Sequence, residues 1–471
     1  MRKKIILCII VDVTLILAFL VFNITNVDNQ QNLMIQLVYI ILVDWSFCII
    51  TGIMCGFKIY GLYLMYLISY LVFIFGQIIS RYVFMFTDES ISYLMKIIPD
   101  EGLTQGIVLA IYCMLSLHLG ALICKVFYSK NTCTYKSTHL SKYKLLNMKK
   151  VAVLLFLITF PFAFYNFILV LKLSISGGYV AVHSDINYGI NSILEKIVPF
   201  FSISLLMLIV ANREHLKRAR MIFLFAIFYY GLQILFGARG IPLLQIIVTI
   251  VLWHSMVNKI NKKRIIGIIL WLIPLSALLG IMKEVRANPL GYWFANFNSI
   301  FIESLKNNSI LNVINEMGSA IYPTVASMLV CPNIIPFQYG KTFMYAIFTI
   351  IPNVGSGVHW TKQYTDIANI VSLHFGTPFG GSIVEEGYIN FGWYSLLFFV
   401  VIGYFLVKLE TYIENNKEKS EYLYPLYASI SVQILWSIRN NLAPVVIYSI
   451  RYILITYILY KVINYKNKET L

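Results

Sequence analysis

Charge is what this chain has least of: Asp, Glu, Lys and Arg make up 12% of its 471 residues, while 59% are hydrophobic. So small a polar fraction cannot cover a soluble globule of this size, which excludes water as the main solvent. Acid is scarcest, with 21 Asp and Glu against 37 Lys and Arg and a formal net charge of +16. A basic balance can mark a nucleic-acid partner, but here Lys and Arg fall in short clusters between apolar runs and line no single face. They read as topology information, and no nucleic-acid partner is expected. No Cys-x-x-Cys pair occurs, and most of the 7 cysteines, such as Cys8, Cys48, Cys113 and Cys124, sit inside apolar segments. That excludes a disulfide framework and a thiolate metal site. A Walker loop, a Gly-x-Ser-x-Gly elbow and a dinucleotide fingerprint are all missing, as is any soluble nucleotide-sugar domain. Energy for a reaction must therefore arrive with the substrate, and no cofactor or metal is expected.

Long apolar runs are abundant instead. Runs of roughly 17–25 residues can cross a bilayer as helices, because only a helix or a closed barrel satisfies its own backbone there. The expected fold is an all-α, polytopic integral membrane protein of about 12 transmembrane helices, one transmembrane domain over residues 1–471. Among the expected spans are Ile5 to Phe22, Ile59 to Ile79, Met221 to Phe236, Ile241 to Val257, Ile265 to Met282, Phe391 to Leu409, Tyr422 to Ser437 and Val445 to Tyr460. Met1-Arg-Lys-Lys precedes the first of them without a small-residue cleavage site after it, and is read as the start of a retained span. Lys and Arg in short loops stay cytoplasmic, which places both termini inside and gathers most of the basic residues there. One long external loop remains, about residues 283–390, between the ninth and tenth spans. Its short apolar stretches, such as Ile310, Leu311, Ile314 and Met317, suit helices at the membrane surface. The run Thr342 to Ile351 is too short to cross and stops at Pro352-Asn353.

Four arginines fall at the external level. Arg239 lies in the turn Phe236-Gly-Ala-Arg-Gly240, Arg286 just past the ninth span, Arg439 just past the eleventh and Arg451 inside the twelfth. A guanidinium keeps its charge and offers a planar fork of donors, which suits a phosphate or diphosphate at a water–lipid boundary. The plainer reading is snorkelling, or pairing with a carboxylate such as Glu284 or Glu385. Glycines on both sides of Arg239 allow the backbone close to a ligand. Glu385 and Glu386 stand at the expected membrane boundary, where a carboxylate suits a general base or simply neutralises arginines. His359 and His374 are external but show no metal-ligand spacing with the external acids. Asp12 and Asp44 fall inside the first two spans, as functional groups or as partners for neighbouring helices.

Six short segments carry a resemblance: Phe75-Gly-Gln77, Gly237-Ala-Arg-Gly240, Asn315-Glu-Met-Gly318, Ile351-Pro-Asn353, Gly380-Gly-Ser382 leading to Glu386-x-Tyr388-x-Asn390-Phe-Gly392, and Ser437-Ile-Arg439. In their order and common external placement the chain resembles the O-antigen polysaccharide polymerase family, Wzy, and related oligosaccharide repeat-unit polymerases. The resemblance implies a glycosyltransferase of the bacterial cytoplasmic (inner) membrane. Its donor and acceptor would be repeat units on undecaprenyl diphosphate, joined into O-antigen or capsule without nucleotide. For that reaction Arg239, Arg439 and Glu386 are the expected catalytic residues, the arginines on the diphosphate and Glu386 orienting or deprotonating the acceptor hydroxyl. Arg286, Arg451, Glu385, Tyr388, Asn390 and His374 would complete the substrate-binding set. Expected partners are the lipid-linked oligosaccharides, membrane lipids, a chain-length regulator and a flippase. Two rivals stay open: an O-antigen ligase, differing in acceptor, and a transporter of lipid-linked oligosaccharide built on Asp12, Asp44 and Arg451.

Overall fold

A computed structural model describes residues 2–25, 30–86, 98–128, 142–184, 196–235, 240–261, 309–351, 359–376, 380–416 and 422–469, with a few more between 292 and 302. All regular structure among the described residues is helical. In chain order the helices are α1 (Arg2–Thr25), α2 (Gln30–Met54), α3 (Leu62–Tyr70), α4 (Gly76–Tyr82), α5 (Asp100–Tyr128), α6 (Lys142–Ser184), α7 (Pro199–Ala211), α8 (Leu216–Leu235) and α9 (Gly240–Met256). They continue as α10 (Ser309–Met317), α11 (Ile321–Val330), α12 (Lys341–Phe348), α13 (Lys362–Thr365), α14 (Ile367–Phe375), α15 (Ile383–Phe391), α16 (Ser395–Asn416), α17 (Leu423–Trp436) and α18 (Ala443–Glu469).

Every expected span that falls on described residues is helical; the ninth, Ile265 to Met282, lies outside them. Six described stretches are long and apolar enough to cross a membrane: Leu33–Met54, Leu62–Tyr82, Asp100–Tyr128, Leu145–Leu173, Ile383–Asn416 and Ala443–Ile463. Two shorter apolar helices, Pro199–Ala211 and Gly240–Met256, join them. Large apolar side chains stand bare on these helices, Val43 and Leu157 being 63–64% exposed. A surface of that kind is stable only against hydrocarbon, so the chain is a membrane protein.

The chain forms two interleaved compact units. Unit 1 comprises Met1–Lys136, Ile314–Asn415 and Ile434–Tyr448. Its axis is α5, buried almost throughout, with Asp100 and Glu101 in its first turn and Lys125 in its last, the favourable charge order for a helix dipole. Gly120 of α5 meets the backbone of Val400, and Gly403 of α16 meets the carbonyl of Leu117. A Cβ at either glycine would overlap main chain, so α5 and α16 approach as closely as two helices can. His118 of α5 is fully buried and hydrogen-bonded to Thr51 of α2 at 2.9 Å and to the Tyr63 hydroxyl of α3. At one end of the unit Lys58 pairs with Glu414 at 2.7 Å. The segment expected as a surface loop behaves differently at α11: Tyr322, Thr324, Val325, Ala326 and Ser327 are at most 1% exposed. This helix packs on both α5 and α15, so it belongs to the core.

Unit 2 comprises Ser137–Val313, Asn416–Gln433 and Ser449–Leu471. Pro199 opens α7, where a missing N–H is harmless. Connections of four residues, 212–215 and 236–239, make α7, α8 and α9 antiparallel neighbours. Phe201, Leu205, Ala226 and Tyr230 form their buried centre with Ala163 of α6.

If the α5–α16 contact sets the stability of unit 1, Gly120→Val or Gly403→Val forces main chain apart and costs about 1–3 kcal/mol or more. Gly231 of α8 has open space within 4 Å of where a side chain would begin, so Gly231→Ala is neutral or stabilising by about 0.5–1 kcal/mol. The folded fraction in detergent, measured by size exclusion across a heating series, checks both.

Candidate functional site

Four of the six motif segments come together in unit 1. The stretch Leu71–Phe75 winds as a single π turn between α3 and α4, a feature frequent at functional sites. Just beyond it, Gly318 lies on the Gly76–Gln77 backbone with no room for a side chain, and the Gln77 N–H donates to the Gly318 carbonyl at 3.2 Å. The Ala320 N–H donates to the Phe73 carbonyl at 3.0 Å. Phe73 also meets Trp436 edge to face, at 6.0 Å between centroids, where α17 ends.

There the chain turns as a 3-10 helix, Ser437–Arg439. Half-buried, Arg439 donates from Nη1 to the Met317 carbonyl at 3.1 Å and from Nη2 to the Ser319 hydroxyl at 3.5 Å. The guanidinium is thus oriented by a main-chain carbonyl of the Asn315–Gly318 motif. Two buried amides belong to the same segments, Gln77 and Asn315, and the carbonyl oxygens of both side chains lack a hydrogen-bond partner. Each occurs in a motif of the sequence reading, yet neither was singled out as a site residue; a lone amide inside an apolar run is the signal that marks them.

A second layer supports that turn. Ser382 caps α15: its hydroxyl accepts from the Glu385 N–H at 3.0 Å, and Glu385 Oε2 accepts from the Ser382 N–H at 3.0 Å. The other Glu385 oxygen accepts from the Ser327 hydroxyl at 3.1 Å, tying the cap to α11. Glu386, 1% exposed, accepts from the Thr342 hydroxyl at 3.0 Å and from the Leu442 N–H at 2.6 Å. Asn390 donates to Thr342 Oγ1 at 2.7 Å and to the Glu386 carbonyl at 2.8 Å, while its Oδ1 accepts from the Gly340 N–H at 2.8 Å. Tyr388 reaches the Cys331 carbonyl at 3.5 Å and packs edge-on against Phe337. Gly392, at φ +58, ends α15 in a backbone conformation that favours glycine, with the Phe337 ring close against it.

The two glutamates expected at the membrane boundary are therefore interior groups, and both oxygens of each are already occupied by protein donors. Such an arrangement holds the 437–442 turn in place; Glu386 touches Leu442, three residues after Arg439. His374 stands exposed near the end of α14, and His359 is engaged by Thr361 at 2.6 Å and the Ile351 carbonyl at 2.8 Å. Arg451 is half-buried on α18 in unit 2. Arg239, Arg286, Pro352 and Asn353 lie outside the described residues. Asp12 and Asp44 are buried in α1 and α2 of unit 1, and neither oxygen of Asp12 has a partner. Among the described residues, no group of three or more His, Cys, Asp or Glu is placed to hold a metal ion.

No curated protein and no solved structure matches the chain. A family model does match, over residues 5–470 and so over nearly the whole length. Its description is O-antigen polysaccharide polymerase Wzy, and the chain belongs to that family of glycosyltransferase-type membrane enzymes, which polymerise O-antigen repeat units.

Proposed function

We propose that the polymerase works at the external face of a bacterial cytoplasmic membrane on repeat units carried by undecaprenyl diphosphate. A hydroxyl on the terminal sugar of a fresh unit attacks the anomeric carbon of the growing chain. The new glycosidic C–O bond forms, the C–O bond to the diphosphate breaks, and the hydroxyl proton leaves to solvent or to the departing diphosphate. Bond energy stored in the donor drives the step, consistent with a sequence without a nucleotide-binding motif. The largest demand on the protein is then to stabilise charge gathering on the diphosphate, followed by alignment of the two lipid-anchored substrates.

The observation that carries this reading is the convergence on Arg439 of the Phe75–Gln77, Asn315–Gly318, Gly380–Gly392 and Ser437–Arg439 segments. Arg439 takes the diphosphate role; Arg239, Arg286 and Arg451 are the further guanidiniums that the sequence offers for it. Glu386 acts as a positioning residue: it fixes the turn that presents Arg439, through Leu442, and shares Thr342 with Asn390. Glu385 and Tyr388 hold α15 to α11 and to the chain around Cys331. A chain-length regulator and a flippase are the expected partners of such a polymerase.

Arg439→Ala at normal membrane level is expected to lower chain extension by about 10²–10³-fold, with Arg439→Lys recovering little of it because a point charge does not replace the fork. A polysaccharide ladder resolved by gel reads the outcome; ladder lengths like those of the parent would remove Arg439 from the mechanism. Glu386→Gln keeps the shape of the brace and is expected to retain activity within about tenfold, whereas loss of a general base costs about 10²–10⁴-fold. Extension rates on purified lipid-linked repeat units across a pH series separate the two: a Glu386→Gln enzyme with its acid limb unmoved supports positioning, and a vanished limb supports a base.

A further inference from the structure

The end of unit 1 opposite the Lys58–Glu414 pair holds a guanidinium that the mechanism does not use. Unit 1 contains three arginines: Arg2 near the N-terminus, Arg439, and Arg81 in the last turn of α4. Arg81 is half-buried and stacks on its neighbour, with its guanidinium 5.4 Å from the centroid of the Tyr82 ring. Among the described residues it forms neither an ion pair nor a hydrogen bond. Two plain readings exist, a charge complementing a helix C-terminus and a side chain reaching for water. A lysine would serve both, and neither accounts for what surrounds Arg81.

Arg81 shares a face of α4 with Gln77, four residues earlier, where the chain leaves the π turn. The Gln77 N–H is bonded to the Gly318 carbonyl, and Gly318 sits between the two residues that Arg439 contacts, Met317 through its carbonyl and Ser319 through its hydroxyl. One turn on, the Tyr322 N–H donates to the Ser319 carbonyl at 3.2 Å, and the Tyr322 side chain lies close enough to Arg81 to feel its charge. The two guanidiniums therefore flank a single turn of chain, Arg439 at Ser319 and Arg81 at Tyr322.

Unmade hydrogen bonds gather at the same place. Gln77, Asn315 and Tyr322 are buried, and the side-chain carbonyl oxygens of the two amides and the Tyr322 hydroxyl have no hydrogen-bond partner. Such vacancies are costly in an apolar interior, and three of them along α4 and the facing 315–322 segment mark a place where partners come from outside the chain. The set is complementary to one kind of molecule. Guanidiniums and a phenol supply the donors that phosphate oxygens require, while amide oxygens accept from hydroxyls.

We infer that Arg81 is the second guanidinium of the diphosphate site. Arg439 and Arg81 each take one phosphoryl group, with the Tyr322 hydroxyl beside Arg81, and Gln77 and Asn315 receive hydroxyls of the attached sugar. The identity of that sugar diphosphate rests on the polymerase reading; the placement of two guanidiniums about the Ser319–Tyr322 turn does not. Two planar forks also give the site a means of selection, since a monophosphate engages one of them and leaves the other idle.

The test measures binding of farnesyl diphosphate and farnesyl monophosphate to the full chain in lipid nanodiscs by isothermal titration calorimetry. Wild type is expected to hold the diphosphate at least tenfold more tightly. Arg81→Gln should weaken the diphosphate about 10–100-fold, the loss of charged hydrogen bonds, and remove the preference over the monophosphate. Arg81→Lys keeps the helix-end charge and should recover only part of the loss. Diphosphate affinity unchanged in Arg81→Gln, or fully restored in Arg81→Lys, reduces Arg81 to a helix-end charge and overturns the inference. Arg439→Ala separates this from the reading on which it rests: weaker binding there beside an unchanged Arg81→Gln refutes Arg81 alone. A wild type that binds no farnesyl diphosphate refutes the diphosphate reading, and Arg81 with it.

Discussion

A carboxylate removed from water must find its donors within the protein, and this constraint organises unit 1. Glu386 satisfies it by reaching across three elements, its own α15, Thr342 of α12 and the main chain at Leu442. Once those bonds close, the turn after α17 has one position, and Arg439 in that turn is aimed at the Met317 carbonyl. Glu385 applies the same rule locally, closing the start of α15 onto itself and onto α11. The cost of leaving either group unmade in an apolar interior is what makes the platform rigid. Rigid support for a partly buried guanidinium is in turn what electrostatic catalysis needs, because donors fixed beforehand do not have to reorganise as charge develops.

Close backbone packing serves the same end. The Gly318 contact on Gly76–Gln77 places the Asn315–Gly318 segment against the π turn, which puts the Met317 carbonyl within reach of Arg439. At Gly120 and Gly403 the same device locks α16 to α5, and α15 follows from α16 through the Gly392 break. Glycine is thus the residue that lets buried polar segments meet between helices whose outer faces carry large aliphatic and aromatic side chains.

Hydropathy alone made the helices legible, because a run of apolar residues has few alternatives in lipid. What it missed were boundaries set by specific bonds. The tenth span was expected from Phe391, whereas helix begins at Ile383; Glu385, Glu386 and Asn390 look like loop chemistry until their donors are seen. In the same way α11 was read as part of a surface loop, since ten residues are too few to cross a bilayer and nothing in Ile321–Val330 announces burial on every side. The motifs around Arg439 were readable as a set, but their meeting point depends on pairings between residues up to 122 positions apart. Polymerase, ligase and transporter share the features that a membrane topology can show, and the family match over residues 5–470 decides for the polymerase.

The interleaved path of the chain has a consequence for its biogenesis. Unit 1 draws on three separate stretches, and its last, Ile434–Tyr448, is synthesised near the end. Until then Glu386 has no Leu442 to accept from, and α5 waits for the glycine face of α16. Insertion can proceed helix by helix from the N-terminus, yet neither unit is complete before most of the other has emerged. Split genes and C-terminal truncations should therefore yield polypeptides that enter the bilayer but expose unsatisfied polar groups within it, the kind of intermediate that membrane quality-control proteases recognise.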